Sequence, residues 1–174
     1  MTHTTIWAPW RIDYIRGLDE SAPDIEDSTG CFLCDAGRAD LPGEDREKLL
    51  VLASDERGVL LMNRYPYTNG HLLAAPREHL ADLDEMTPDQ RAGLMELAAL
   101  GQRALKQTMN PQGINLGMNL GRCAGAGLPG HAHLHIVPRW SGDVNFMEVV
   151  GQVRVIPEAL QRSYKQLKDA IDSA

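Results

Sequence analysis

The sequence predicts an α+β domain: an antiparallel β-meander sheet with one long helix and a C-terminal helix packed on it. Three observations carry this. Short apolar runs, LLVLASD, GVLLMN and HLLAAP, are separated only by DERG and the turn YPYTNG, connections too short for parallel crossovers. Thr87-Pro88-Asp89-Gln90 then places a capping hydroxyl, a first-turn proline and a capping-box glutamine ahead of a periodic apolar stretch. Finally, INLGMNLG and HAHLHIV alternate apolar and polar residues with the period of a strand.

In chain order, residues 1 to 28 form an N-terminal arm with two tryptophans in IWAPWR, followed by the acidic stretch DESAPDIEDSTG, which reads as a solvated loop. The arm is expected to dock on the domain or on a partner chain. Residues 49–55 and 58–63 pair as a hairpin, and 71–76 add a third strand. A helix runs from 88 to 109, with Leu94, Leu97, Ala98, Gly101, Leu105 and Met109 on one face, and Asn110-Pro111-Gln112-Gly113 ends it. Strand 114–121 turns Ile114, Leu116, Met118 and Leu120 toward the core and Asn115, Gly117, Asn119 and Gly121 away from it. Pro157 opens the last helix, whose Leu160, Tyr164, Leu167 and Ile171 make an apolar stripe. With 174 residues of which 43% are hydrophobic, the whole chain, 1–174, reads as a single domain able to bury about two-thirds of its surface.

The charge balance, 24 acidic against 17 basic residues without a basic run, argues against nucleic acid as a partner. A small anionic ligand remains compatible, because a pocket of backbone amides sets its own local field. Nowhere do about 18 apolar residues follow one another, and the N-terminus has no apolar signal region, so no membrane association is expected and the location is expected to be cytoplasmic. Three cysteines do not suggest a disulfide framework.

The chemistry concentrates in two places. His131, His133 and His135 occupy every second position of HAHLHIV, so the three imidazoles share one face while Ala132, Leu134 and Ile136 enter the core. One metal held by all three is disfavoured: residues i and i+4 of a strand lie about 13 Å apart, whereas nitrogens on one zinc sit about 3.4 Å from each other. A metalloenzyme using His131 and His133 with an open coordination position stays possible on distance alone. Beside this strand, the row of Asn and Gly in INLGMNLG leaves room for a ligand or another backbone to come close. The glycine-rich loop RCAGAGLPG between the two strands can turn successive N–H groups toward a phosphate, with Arg122 or Arg139 adding charge. The second place is Cys31 and Cys34, a Cys-x-x-Cys that reads as a redox pair or as half of a zinc site completed by His79 and His131.

Taken together, these residues resemble the histidine triad (HIT) superfamily of nucleotide hydrolases and transferases, whose His-x-His-x-His signature followed by apolar residues matches HAHLHIV. NRYPYTNGHLLAAPREH is similar to the family's ribose-side strands, GINLGMNLGRCAGAG to its phosphate-side strand and loop, and GCFLC with His79 to the zinc knuckle of many members. WAPWR and HIVPRW look most like the branch containing ATP adenylyltransferases and diadenosine tetraphosphate phosphorylases. The resemblance implies a HIT-like sheet, a structural zinc on Cys31, Cys34, His79 and His131, no organic cofactor, and a homodimer with residues 88–109 in part of its interface. It implies His133 as the nucleophile and His135 as the group that binds or protonates the reacting phosphate. Asn63 would hold the ribose, Leu61 would sit against the base, Asn119 would reach the ribose or phosphate, and Gly125, Ala126 and Gly127 would offer amides to the phosphate. The expected substrate is an adenine nucleotide or dinucleoside polyphosphate, with inorganic phosphate as the acceptor in a phosphorolysis. Gly127 and Leu128 stand where the simple hydrolases carry Gln and Ser or Thr, which speaks against plain hydrolysis. His135 stands where several transferases and phosphorylases carry glutamine, so the acceptor stays open. An AMP-releasing hydrolase and a nucleotide-binding regulatory protein with little turnover are the alternatives.

Overall fold

The computed structural model describes residues 23–143 and 158–173. Most of the N-terminal arm, including WAPWR, lies outside the described residues, as does Pro157. Two short helices come first, α1 (Phe32–Gly37) and α2 (Gly43–Lys48), and lead into strands β1 (Val51–Asp55), β2 (Gly58–Met62) and β3 (Leu72–Ala75). The long helix α3 (Pro88–Met109), strands β4 (Gly113–Met118) and β5 (Leu134–Arg139), and helix α4 (Leu160–Asp172) follow. All strand pairs are antiparallel, in the order β1-β2-β3-β5-β4.

The capping box at Thr87 forms as expected: its hydroxyl accepts from the Gln90 amide and the Gln90 side chain accepts from the Thr87 N–H. Helix α3 then buries Leu94, Leu97, Ala98, Gly101 and Leu105 against β2, β3 and β5. At Gly101 a Cβ would stand 3.0 Å from Leu72 Cδ1, so the absence of a side chain lets this helix seat closely on the sheet. Leu60, Leu72, Leu97, Leu105, Ile136 and Leu167 are almost fully buried in this layer, and α4 closes it with Tyr164 bonded to the Val51 carbonyl.

The opposite face carries a smaller layer in which Val51, Val59, Leu61, Leu73 and Ala75 meet Leu33, Leu41 and Ile25. Ile25 shows that the acidic stretch is not solvated throughout; its apolar side chain is buried in this layer. Among the described residues this layer has no member on β5 or β4, which leaves their face uncovered beside it.

The first three strands are each trimmed by one or two residues, and three further boundaries move. β5 starts at Leu134, because β3 ends before Pro76, which has no N–H to donate, and Ala132 donates to the Leu80 carbonyl instead. Alternation survives nonetheless, since Ala132, Leu134 and Ile136 all enter the large core. β4 stops at Met118, and Leu116, expected inside, is 46% exposed, because among the described residues β4 is the sheet edge and α3 packs on its inner neighbours. The last helix begins at Leu160, with Ala159 as its N-terminal flanking residue. Helices α1 and α2 are additions that the sequence pattern did not reveal.

Candidate active site and metal centre

The sheet register sets the site. Gly117, His135, Leu73 and Leu61 are successive Cα partners across β4, β5, β3 and β2, so they lie on one face in one row. His133 and His131 continue along the chain from His135, both buried, with the His133 and His135 rings 5.0 Å apart at 64°.

Backbone partners fix which nitrogen each ring offers. The Tyr67 amide, which can only donate, lies 3.1 Å from His71 Nδ1, so His71 carries its proton on Nε2. That N–H points at His135 Nδ1, 3.0 Å away, so neutral His135 keeps its own proton on Nε2 as a donor toward the open face. His133 donates from Nδ1 to the His131 carbonyl at 2.8 Å, leaving the lone pair on its Nε2. Burial, followed by the neighbouring His135 and His133, pushes His71 down to about 3. Burial also lowers His133 and His131. His71, His131 and His133 are therefore neutral near pH 7, the state that both a nucleophile and a metal ligand require.

The four ligating atoms of Cys31, Cys34, His79 and His131 lie within 4.8 Å of one another. His131 Nδ1 is 3.4 Å from each sulfur, and His79 Nδ1 is 3.1 Å from Cys34 Sγ. Tetrahedral bonds of about 2.3 Å to sulfur and 2.1 Å to nitrogen would hold such atoms about 3.6 Å apart, so the donor set fits a zinc-sized ion. His131 donates from Nε2 to the Pro76 carbonyl at 3.0 Å, which directs the Nδ1 lone pair inward as a ligand needs. Burial first, and the Cys31 thiol second, push the Cys34 thiol up to about 12. Binding a metal here must accordingly release protons. A metal shared by His131 and His133 is disfavoured, because His131 Nε2 is engaged by the Pro76 carbonyl, its Nδ1 faces the sulfurs, and among the described residues the cluster around it does not include His133.

A HIT domain profile matches residues 45–142. The chain belongs to the HIT family. The AP-4-A phosphorylase of Mycobacterium tuberculosis strain H37Rv is 33% identical over 162 residues, covering 93% of this chain and 81% of the relative. An uncharacterised HIT-like protein of Saccharolobus solfataricus is 32% identical over 105 residues, covering 60% of this chain and 75% of its own. Among solved structures, a Zn-bound histidine triad family protein from Mycobacterium smegmatis superposes with a TM-score of 0.64 at 28% identity, covering 82% of this chain and 94% of the other.

The HIT site assembles most, not all, of the residues expected in it. Asn119 reaches His135, its amide 3.5 Å from Nε2, where its oxygen can accept once the amide is turned. Asn63 has both amide ends engaged in its own loop: the oxygen accepts from the Tyr65 N–H at 3.0 Å and the nitrogen lies 3.2 Å from His71 Nδ1. In this arrangement it orients His71. Leu61 is 1% exposed beneath α1, so it supports the site from below and presents no surface to a base. Gly125 and Ala126 direct their amides to the carbonyls of Arg122 and Gly121, while among the described residues the Gly127 N–H has no hydrogen-bond partner. Arg139 is held by Asp143 and Asn115. Two residues went unrecognised in the sequence, His71 and Tyr67, whose ring stacks on His135 at 5.7 Å and 27°. His71 was readable in principle, since it shares parity with Leu73 on the site face; Tyr67 carries no such signal.

Proposed function

We propose that this HIT protein is an enzyme that cleaves diadenosine polyphosphates by phosphorolysis through a nucleotidyl-histidine at His133. The observation that carries this reading is the His133 Nδ1–H bond to the His131 carbonyl, which leaves Nε2 as an oriented nucleophile beside the His135 donor. In the first step the Nε2 lone pair forms the N–P bond to an α-phosphorus. The bond from that phosphorus to the bridging oxygen breaks, and its electrons leave on ATP when diadenosine tetraphosphate is the substrate. The His135 Nε2–H hydrogen-bonds the oxygens on which charge develops. An oxygen of inorganic phosphate then attacks the same phosphorus, the N–P bond breaks, and ADP and free His133 result. The 33% identity with AP-4-A phosphorylase over most of both chains supports the choice of acceptor and substrate.

Cys31, Cys34, His79 and His131 hold zinc in this reading, as a structural ion whose four protein ligands leave no open position. Zinc there supplies folding stability and fixes the residue whose carbonyl orients His133. Asn119 and the Gly127 amide contact the phosphate, and Asn63 contacts the ribose through its remaining amide hydrogen. The protein works as a homodimer with residues 88–109 in part of its interface, extended to β4, the sheet edge among the described residues, where Leu116 stands half-exposed.

Incubation with diadenosine tetraphosphate, with and without inorganic phosphate, tests the reading. ADP plus ATP formed only with phosphate is the expected result. AMP plus ATP in water alone makes the protein a hydrolase, and tight AMP binding without turnover makes it a regulatory nucleotide binder.

A further inference from the structure

Gly117 lies in the middle of β4, directly opposite His135. A glycine inside a strand weakens it, so something ordinarily requires it. Neither usual requirement applies. Its φ lies outside the left-handed region, and a Cβ built on it would meet nothing within 4 Å among the described residues. The packing of the described residues would accept a side chain there.

What surrounds Gly117 is a bare, hydrogen-bonding floor. On the same face Asn119 reaches His135 on one side, and on the other Asn115 accepts from Arg139 at 3.2 Å. Arg139 lies four residues beyond His135 on the same face of β5, about 13 Å along the strand, with its side chain 47% exposed. Asp143 pairs with that guanidinium, so the far end of the floor offers hydrogen bonds more than net charge. This suits a sugar-phosphate chain better than a compact anion.

Building on the reading above, we propose that Gly117 is a specificity-determining residue: it keeps β4 bare so that an elongated nucleoside polyphosphate leaving group can cross from His135 toward Asn115 and Arg139. A side chain at 117 would stand in that path, whereas a substrate with a small leaving group would meet it less. The site thus selects for bulk on the leaving side of the α-phosphorus.

The test compares Gly117→Val and the milder Gly117→Ala with wild type on two substrates under the same phosphate. One is diadenosine tetraphosphate, and the other is adenosine 5′-phosphoramidate, whose leaving group is ammonia. The expected result is a kcat/KM for the dinucleotide that falls at least about tenfold more than that for the phosphoramidate in Gly117→Val, with a smaller bias in the same direction in Gly117→Ala. Thermal melts and sedimentation accompany the kinetics. Parallel loss on both substrates, no change on either, or a changed oligomeric mass overturns the inference, the last because the glycine then serves a second copy. Gly117→Ala alone decides the matter if Gly117→Val does not fold. Wild-type protein inert on both substrates overturns the phosphorolysis reading and this inference with it, whereas active wild type with an unbiased variant removes this inference alone.

Discussion

Two ends of the same five-residue run, HAHLH, do opposite things with the same side chain. At the upstream end, His131 donates from Nε2 to the Pro76 carbonyl and turns Nδ1 toward two sulfurs. Two residues on, His133 donates from Nδ1 to the carbonyl of His131 and keeps Nε2 for chemistry. His135 accepts on Nδ1 from His71 and presents an N–H. In the proposed reading, ligand, nucleophile and donor therefore differ only in which nitrogen a neighbour occupies, and the proposed metal end and reacting end meet in one residue. His131 turns its ring to the Cys31, Cys34 and His79 cluster and its carbonyl to His133, the proposed nucleophile.

The sharpest break in this comparison is His133→Ala. Removing the one ring whose Nε2 is left with a lone pair should lower phosphorolysis by at least about 10³-fold, with metal content and melting temperature retained. Undiminished turnover would show that the reacting end has been misidentified.

Cys31→Ser and His79→Ala attack the other end. Each should abolish stoichiometric zinc by elemental analysis and lower unfolding stability by about 3–5 kcal/mol, with turnover falling as a consequence because the His131 carbonyl is no longer fixed. Retained zinc with lost activity would separate the two ends that the geometry joins.

His71→Asn sharpens the comparison through pH. The folded-state pKa of His71 is lowered to about 3, below the ordinary value near 6.5 that applies when the chain unfolds. Between these values the unfolded chain binds a proton that the folded protein does not. Stability from this group is therefore complete above about pH 6.5 and falls on acidification, by about 1.4 kcal/mol per pH unit. Denaturant melts at pH 5 and pH 7.5 should show a smaller difference in His71→Asn than in wild type. Turnover should drop about 10- to 100-fold, and nitrogen NMR should show the His135 tautomer no longer fixed. An unchanged tautomer would show that His71 does not select the nitrogen on which His135 carries its proton.

The smallest effect concerns the uncovered edge. Leu116→Asp places a charge on the half-exposed apolar position of β4 and should shift sedimentation toward the monomer, with the melting temperature lower by only a few degrees. A wild type that sediments as a monomer at all concentrations would remove the dimer from the proposal.

Much of this molecule was legible residue by residue. The capping box at Thr87 and the end of the helix at Met109 fell where the sequence put them, because caps are satisfied within one turn of chain. The faces of HAHLHIV were also legible, since alternation belongs to extended backbone even where the ladder has not begun. The cluster of Cys31, Cys34, His79 and His131 required more than spacing: Cys31 and His131 are 100 positions apart, so the sequence offered the two histidines only as candidate ligands beside a redox reading, and the resemblance to a known family chose between them. Leu61 and Leu116 went the other way, because whether an apolar residue is covered depends on which element packs over its strand. α1 covers Leu61, whereas α3 contacts the strands inside β4 and leaves Leu116 at the edge.

By itself the sequence determined which side chains share a face and where the long helix begins and ends, because the period of a strand and the chemistry of a cap act over a few bonds. Only the tertiary structure decided what each imidazole can do. That choice rests on the partner of its other nitrogen, and those partners, the Pro76 carbonyl for His131 and His71 Nε2 for His135, reach the triad from distant parts of the chain.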